Sequence, residues 1–293
     1  MKLSVAIIAK NEAEIIRGCL ESVKDADEIM VVDTGSEDST LEIVHDYTYK
    51  TYWMKWGDDF SEAYNFVCSL CTGDWILSID ADEQLEEGGI VKIRDLINPY
   101  AQAYRIQLEY SEETVMGIKL LKNRAGIYWV GKAHKTLNIP VSTVLPVKIY
   151  CGSSPAHRDD PDRTLRILKR DFYDTPANTR NLYYLAREYA NRHVFEDAIS
   201  LFERYFEEGD DRFLRADACL YLAKIYKAQD DLAAANNCVF LAIETLPDFR
   251  EAWDFAASLV PKGLDRDSCL EKAKACNNNG VRIIRKFKWS DLD

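Results

Sequence analysis

The chain is poor in the residues that break or loosen structure. Of 293 residues, 13 are glycine and 8 are proline, which excludes collagen-like and low-complexity architectures. No apolar run approaches the roughly 18 residues needed to span a bilayer. The opening stretch, Leu3 to Ala9, is too short for a secretory apolar segment and has no cleavage site after it. A soluble, cytoplasmic protein is the expectation. Positive charge is also short: 37 Lys and Arg stand against 49 Asp and Glu, a formal net charge of -12. Such a surface is a poor match for a duplex phosphate backbone or an anionic membrane, so no nucleic-acid partner is expected. The most basic stretch, Arg158 to Arg170, is diluted by its own aspartates.

Cysteine is not lacking, but the eight thiols are not arranged for chemistry. Most fall on apolar positions of predicted helices and read as buried side chains. Cys68 and Cys71 form a lone C-x-x-C pair with no second pair at zinc-finger spacing.

What is present is 47% hydrophobic content, enough for one large core or two smaller ones. The first half alternates strand and helix signals. Leu3 to Ala9 reads as a buried strand, and Asn11 as the cap of a helix reaching about Val23. A strand over Glu28 to Asp33 ends in the turn Thr34-Gly35-Ser36, and a helix from about Glu37 to His45 follows. A strand over Tyr49 to Met54, a helix over Ser61 to Leu70 and a strand over Trp75 to Ile79 complete the series. This β-α-β-α-β-α-β order predicts a mostly parallel, doubly wound, Rossmann-like sheet. Ligands of such sheets sit at the carboxyl ends of the strands. Asn11-Glu12, Asp33 and Asp80-Ala81-Asp82-Glu83 all lie at strand ends. Shorter strands over Tyr104 to Leu108, Ile118 to Lys122 and Ile127 to Val130 predict an antiparallel extension. Cys151 to Asp162 reads as a turn-rich connector.

After Arg163 the pattern is helical with a long period. Registers starting at Thr179, Ala216 and Arg250 place Leu182, Leu185, Ala186, Ala198 and Phe202 in step with Cys219, Leu222, Ala223, Ala235 and Val239, and with Trp253, Ala256, Ala257 and Cys269. Small residues at fixed places let paired helices approach closely, as in tetratricopeptide repeats. Residues 1–160 are therefore expected to form an α/β domain and residues 161–293 an all-α domain of tetratricopeptide-like repeats. The basic, apolar stretch Val281 to Trp289 is expected to close the chain as a helix or a strand.

Asp80-Ala81-Asp82 follows a strand directly. Two carboxylates one residue apart on a turn can face a hard divalent cation, which completes its shell with water and phosphate oxygens. Three blocks then resemble the signature segments of family 2 glycosyltransferases with the GT-A fold. They are Ser4-Val5-Ala6-Ile7-Ile8-Ala9-Lys10-Asn11-Glu12, Val31 to Thr40 with Asp33, and Gly73 to Glu83 with Asp80 and Asp82. The resemblance spans about the first 135 residues in order. It points to the branch with C-terminal tetratricopeptide repeats, which includes peptide S-glycosyltransferases that modify bacteriocins.

The resemblance implies roles. Asp33 would hydrogen-bond the base of a nucleotide sugar, and Ala9 and Glu12 would border the nucleoside. Asn11 and Ala81 are donor-binding positions within the same blocks. Asp80 would face the ribose or the metal, and Asp82 would be the main ligand of Mn²⁺ or Mg²⁺. Asn65 matches a position near the nucleotide, or else ties down a turn. Before it the family usually has Arg, and this chain has Tyr64. Trp129-Val130-Gly131-Lys132-Ala133-His134-Lys135 resembles a further block, W-x-G-x-x-H-E, with Lys135 in place of Glu. A Lys there could bind phosphate, or act as a base only with a depressed pKa. His134 and His157 are candidates for metal or diphosphate contact. The expected reaction moves a hexose from a nucleotide sugar, UDP-hexose first among them, with inversion. The acceptor would be a peptide, protein or glycan gripped by the repeats, which could alternatively pair two copies as a homodimer. Asp160, Asp159 and Glu109 are available as the base. The alternative is a sugar-nucleotide-binding scaffold that has lost activity, which Tyr64 and Lys135 favour and the intact Asp80-Ala81-Asp82 opposes.

Overall fold

The computed structural model describes residues 1–111, 114–260 and 263–276. They divide into two compact units, one ending at Arg163 and one beginning at Thr164.

In the first unit the predicted alternation is present as β1 (Leu3–Ala9), α1 (Ile16–Val23), β2 (Glu28–Asp33), α2 (Thr40–His45), β3 (Thr51–Trp53), α3 (Phe60–Leu70) and β4 (Trp75–Ser78). There follow β5 (Glu83–Leu85), α4 (Gly89–Leu96), β6 (Ala103–Glu109), β7 (Thr114–Lys122), β8 (Trp129–Val130), β9 (Thr136–Leu137), β10 (Val144–Cys151) and α5 (Pro155–Asp159). Eight strands make one sheet in the order β3-β2-β1-β4-β7-β6-β10-β5, and β8 pairs with β9. β1 runs parallel to β2 and β4, and β2 to β3. β7 runs against β4 and β6, and β5 against β10. This is the predicted parallel core, with an extension that is mixed rather than purely antiparallel, because β10 runs parallel to β6.

The alternation of β1 explains the layers. Leu3, Val5 and Ile7 share a core with Ile16, Cys19, Leu20 and Val23 of α1 and Ile90 and Ile93 of α4. Ala6 faces the other way, into a core with Tyr64 and Val67 of α3 and with Trp129 and Leu137. A strand buried on both faces reads as a continuous apolar run, which is how Leu3 to Ala9 appears in the sequence.

Two local expectations need correction. Asn11 does not cap α1. It adopts a left-handed φ of 54°, which asparagine tolerates. Its side-chain oxygen accepts the Glu37 amide at 2.8 Å, and its own amide donates to Ser36 Oγ at 3.0 Å. α1 starts at Ile16, after a turn in which the Ile15 and Ile16 amides donate to the Glu12 carbonyl. α2 starts at Thr40 rather than Glu37, because the Asp38 carboxylate takes the Thr40 and Ala13 amides. The stretch before the connector holds β10, whose pairing with β6 shifts register between Leu145 and Lys148, around Pro146. That irregularity accommodates a residue with no amide to donate.

The second unit contains α6 (Arg163–Asp174), α7 (Thr179–Asn191), α8 (Phe195–Glu208), α9 (Arg212–Ala228), α10 (Leu232–Thr245), α11 (Arg250–Leu259) and α12 (Leu264–Ala275). Side chains of Asn178, Asp211 and Asp231 accept backbone amides and cap α7, α9 and α10. The small residues placed in register, Ala186, Ala198, Ala223, Ala235 and Ala257, are all buried. Val281 to Trp289 lies outside the described residues.

Candidate active site

Register fixes the edge at which the site forms. Ala9 is opposite Asp33, and Ala6 opposite Ser78, two residues before Asp80. Asp33 is 4% exposed. Its carboxylate accepts the Gly35 and Ser36 amides at 3.1 Å, while the Ala9 carbonyl accepts the Thr34 amide at 3.0 Å. Aspartate at this strand end thus shapes the loop after β2. Glu12 is 6% exposed. Its Oε1 accepts from Ser154 Oγ at 2.6 Å, and its Oε2, fully buried, has no hydrogen-bond partner among the described residues. Burial, reinforced by the Asp82 charge, pushes the Glu12 carboxyl up to about 7.

Asp80, whose side chain is 37% exposed, joins a charge network with the buried Lys119 and Glu83. Its Oδ1 accepts from the Tyr64 hydroxyl, and its Oδ2 from Lys119 Nζ at 2.9 Å. Lys135 Nζ is 3.9 Å from Oδ1. Lys119 also donates to Glu83 Oε2 at 2.6 Å, and the same oxygen accepts the Asp80 amide at 2.9 Å. Burial works against the Asp80 charge, but Lys119 and Lys135 outweigh it and hold this carboxyl below the usual carboxylate range. Burial and the Asp80 charge push Glu83 up to about 7. Ala81 is buried between the two aspartates, and the Asp82 carbonyl accepts the Gly152 amide at 2.7 Å. A Cβ at residue 152 would stand 2.9 Å from that carbonyl oxygen, so the close approach requires glycine.

The other expected residues divide. Asn65 uses both ends of its amide on the backbone of Trp129, accepting from the nitrogen at 2.8 Å and donating to the oxygen at 2.9 Å. It fixes β8 against α3. Glu109 lies two strands from β4 and accepts from Lys148, Thr114 and Gln107. Those bonds lower its pKa. Asp160 follows α5, between Arg158, which pairs with Glu14, and Arg163, which stands over the Phe60 ring. His134 precedes Lys135 in the link from β8 to β9. The side chain of His157 lies outside the described residues.

Residues 4–111 match the model of the glycosyl transferase family 2. The first unit contains a family 2 glycosyltransferase domain. The chain is 28% identical over 264 residues to a TPR repeat-containing protein of Synechococcus elongatus, covering 80% of this chain and 64% of the relative. It is 27% identical over 269 residues to the prophage-derived glycosyltransferase SunS of Bacillus subtilis, covering 82% and 61%. An uncharacterized glycosyltransferase of Rickettsia felis is 42% identical over 87 residues, 29% of this chain and 30% of that one. The chain thus spans less than two thirds of the length of the first two relatives.

Within the family 2 domain, Asp80 has little left to offer a divalent cation. Both Asp80 oxygens already serve Tyr64 and Lys119, and two ammonium groups stand beside it. Glu12 has one oxygen without a hydrogen-bond partner among the described residues and is close enough to Asp82 to feel its charge. No group of three or more His, Cys, Asp or Glu able to hold a metal occurs among the described residues. Such a cation would complete its shell with phosphate and water. Sequence reasoning missed Lys119 and Ser154. A lysine inside the apolar run Ile118 to Leu121 is a legible signal, since a charge on a buried strand needs a partner. Ser154 gives no such signal; only the path of β10 brings it to Glu12.

Proposed function

We propose that the family 2 domain transfers a hexose from a nucleotide sugar, UDP-hexose first among candidates, to a peptide, protein or glycan acceptor. The observation carrying this reading is the meeting of Glu12, Asp33 and the Asp80-Ala81-Asp82 turn at one sheet edge of a family 2 domain. Asp33 and Ala9 would border the base and Asp80 the ribose. Asp82, with Glu12, would hold Mn²⁺ or Mg²⁺. That cation would neutralise the departing diphosphate, and the reaction would invert the anomeric carbon. Asp160 is the preferred base, because Glu109 is held by Lys148 and its pKa is lowered. The name of the Bacillus relative supports the transfer reaction, and the helix pairs of the second unit fit a grip on an extended acceptor. No helix among the described residues is long and apolar enough to cross a membrane.

The test is incubation with a panel of nucleotide sugars and Mn²⁺ or Mg²⁺, following donor hydrolysis and thermal stabilisation. A UDP-hexose should raise Tm and be hydrolysed. A protein that no donor stabilises, and that hydrolyses none, would not be a glycosyltransferase. A donor that stabilises without turnover would favour the scaffold reading, for which the cations beside Asp80 speak.

A further inference from the structure

Lys135 is an ammonium held in place by rings. Its Nζ stands 3.7 Å from the centroid of the Tyr64 ring and 5.4 Å from that of Trp129. The side chain is 19% exposed. Its ion-pair partner, Asp80 Oδ1, is 3.9 Å away, outside hydrogen-bonding distance, and already accepts from Tyr64. Among the described residues the Lys135 ammonium donates no hydrogen bond. The ammonium is not one of the fully buried atoms that lack a partner, so its N–H donors stay open to solvent or to an arriving anion. Lys119 differs: Asp80 and Glu83 take its donors at 2.9 and 2.6 Å.

The segment is built rather than loose. Asn65 fixes Trp129 through two hydrogen bonds. Gly131 has a φ of +95°, and a Cβ there would stand 3.0 Å from the His134 carbonyl oxygen. The turn so formed delivers Lys135 onto Tyr64. Tyr64 on α3 and Lys135 in the β8–β9 link, far apart in the sequence, touch here.

We infer that Lys135, seated on Tyr64 and Trp129, is the cation that meets the diphosphate of the nucleotide donor. The inference rests on the nucleotide-sugar reading above. The anion it takes is a phosphate oxygen arriving beside Asp80, at the edge where Asp33 and Glu12 also lie. The rings hold the ammonium in place before the donor arrives, so little side-chain freedom remains to be lost on binding. Burial lowers the Lys135 pKa in the free protein, and a bound phosphate would reverse that pull.

The test is titration of UDP and of uridine, in EDTA, into wild type, Lys135→Met and Lys135→Arg. Wild type should prefer UDP to uridine without metal. Lys135→Met should lose at least about tenfold in UDP affinity with uridine affinity unchanged, and Lys135→Arg should retain most of the preference. A Lys135→Met protein that keeps the preference overturns the inference. So does one that loses UDP and uridine equally, because Lys135 would then only shape the pocket, and so does a wild type that binds the two alike. A wild type that binds neither removes the nucleotide reading itself.

Discussion

Glu12 combines burial with an oxygen that no donor among the described residues reaches. Its carboxyl is pushed from 4.5 up to about 7, first by burial and then by the Asp82 charge. In the unfolded chain it titrates near 4.5. Between these values the folded state keeps a proton that the unfolded state has lost, so stability falls as pH rises from about 4.5 to about 7. Glu12→Gln keeps an acceptor for Ser154 and removes the titration. It should be more stable than wild type at pH 8, by up to about 3 kcal/mol, and equal to it near pH 4. Urea unfolding at the two pH values checks this, and a pH-independent difference would refute it. The type and position of Glu12, Asp33, Asp80 and Asp82 are legible in the sequence, because each stands at the end of an apolar strand. Their partners are not. Tyr64, Lys119 and Ser154 come from α3, β7 and the segment after β10, and only the folded register brings them within reach.

Among the elements, β7 has a mixed role. It turns the sheet from parallel to antiparallel, and it carries Lys119 into the turn between β4 and β5. Lys119 is 5% exposed and satisfies two carboxylates. Removing one member of a buried ionic network leaves uncompensated charge, which costs about 3–5 kcal/mol. Lys119→Met should destabilise the first unit by that order, read as a lower denaturation midpoint at pH 7. The loss should shrink at low pH as Glu83, whose pKa lies near 7, takes up its proton. An undiminished midpoint would show that the network is dispensable. Elements with strong periodicity, β1, β2, β4, α3 and the repeat helices, are readable from the sequence. β5, with three residues, is too short to carry a period, and Pro146 masks the alternation of β10. The start of α1 is hidden because Asn11 bonds to the next loop rather than to its own helix.

For the whole molecule, each unit has its own core, one around β1 and its helices and another joining α9, α10 and α11. Ala223 is fully buried in the second unit, at a repeat position where a small side chain allows helices to close. Ala223→Leu should overpack that contact at a cost of about 1–3 kcal/mol while UDP affinity stays unchanged. Calorimetric unfolding alongside nucleotide titration checks both halves, and a parallel loss of UDP binding would show that the units depend on one another. The two-part organisation is visible in the sequence because the period changes from alternation to paired helices after Arg163. What the second unit holds is a matter of surface shape, which periodicity does not encode.

The account turns on a nucleotide site whose cation is held at Asp82. The measurement that tests it most directly is titration of UDP into wild type and Asp82→Ala, each with Mn²⁺ and with EDTA. Wild type should bind UDP more tightly with Mn²⁺ than with EDTA. Asp82→Ala should stay folded and bind UDP equally in both. A wild type that ignores UDP, or an Asp82→Ala protein that keeps the full Mn²⁺ enhancement, would contradict it.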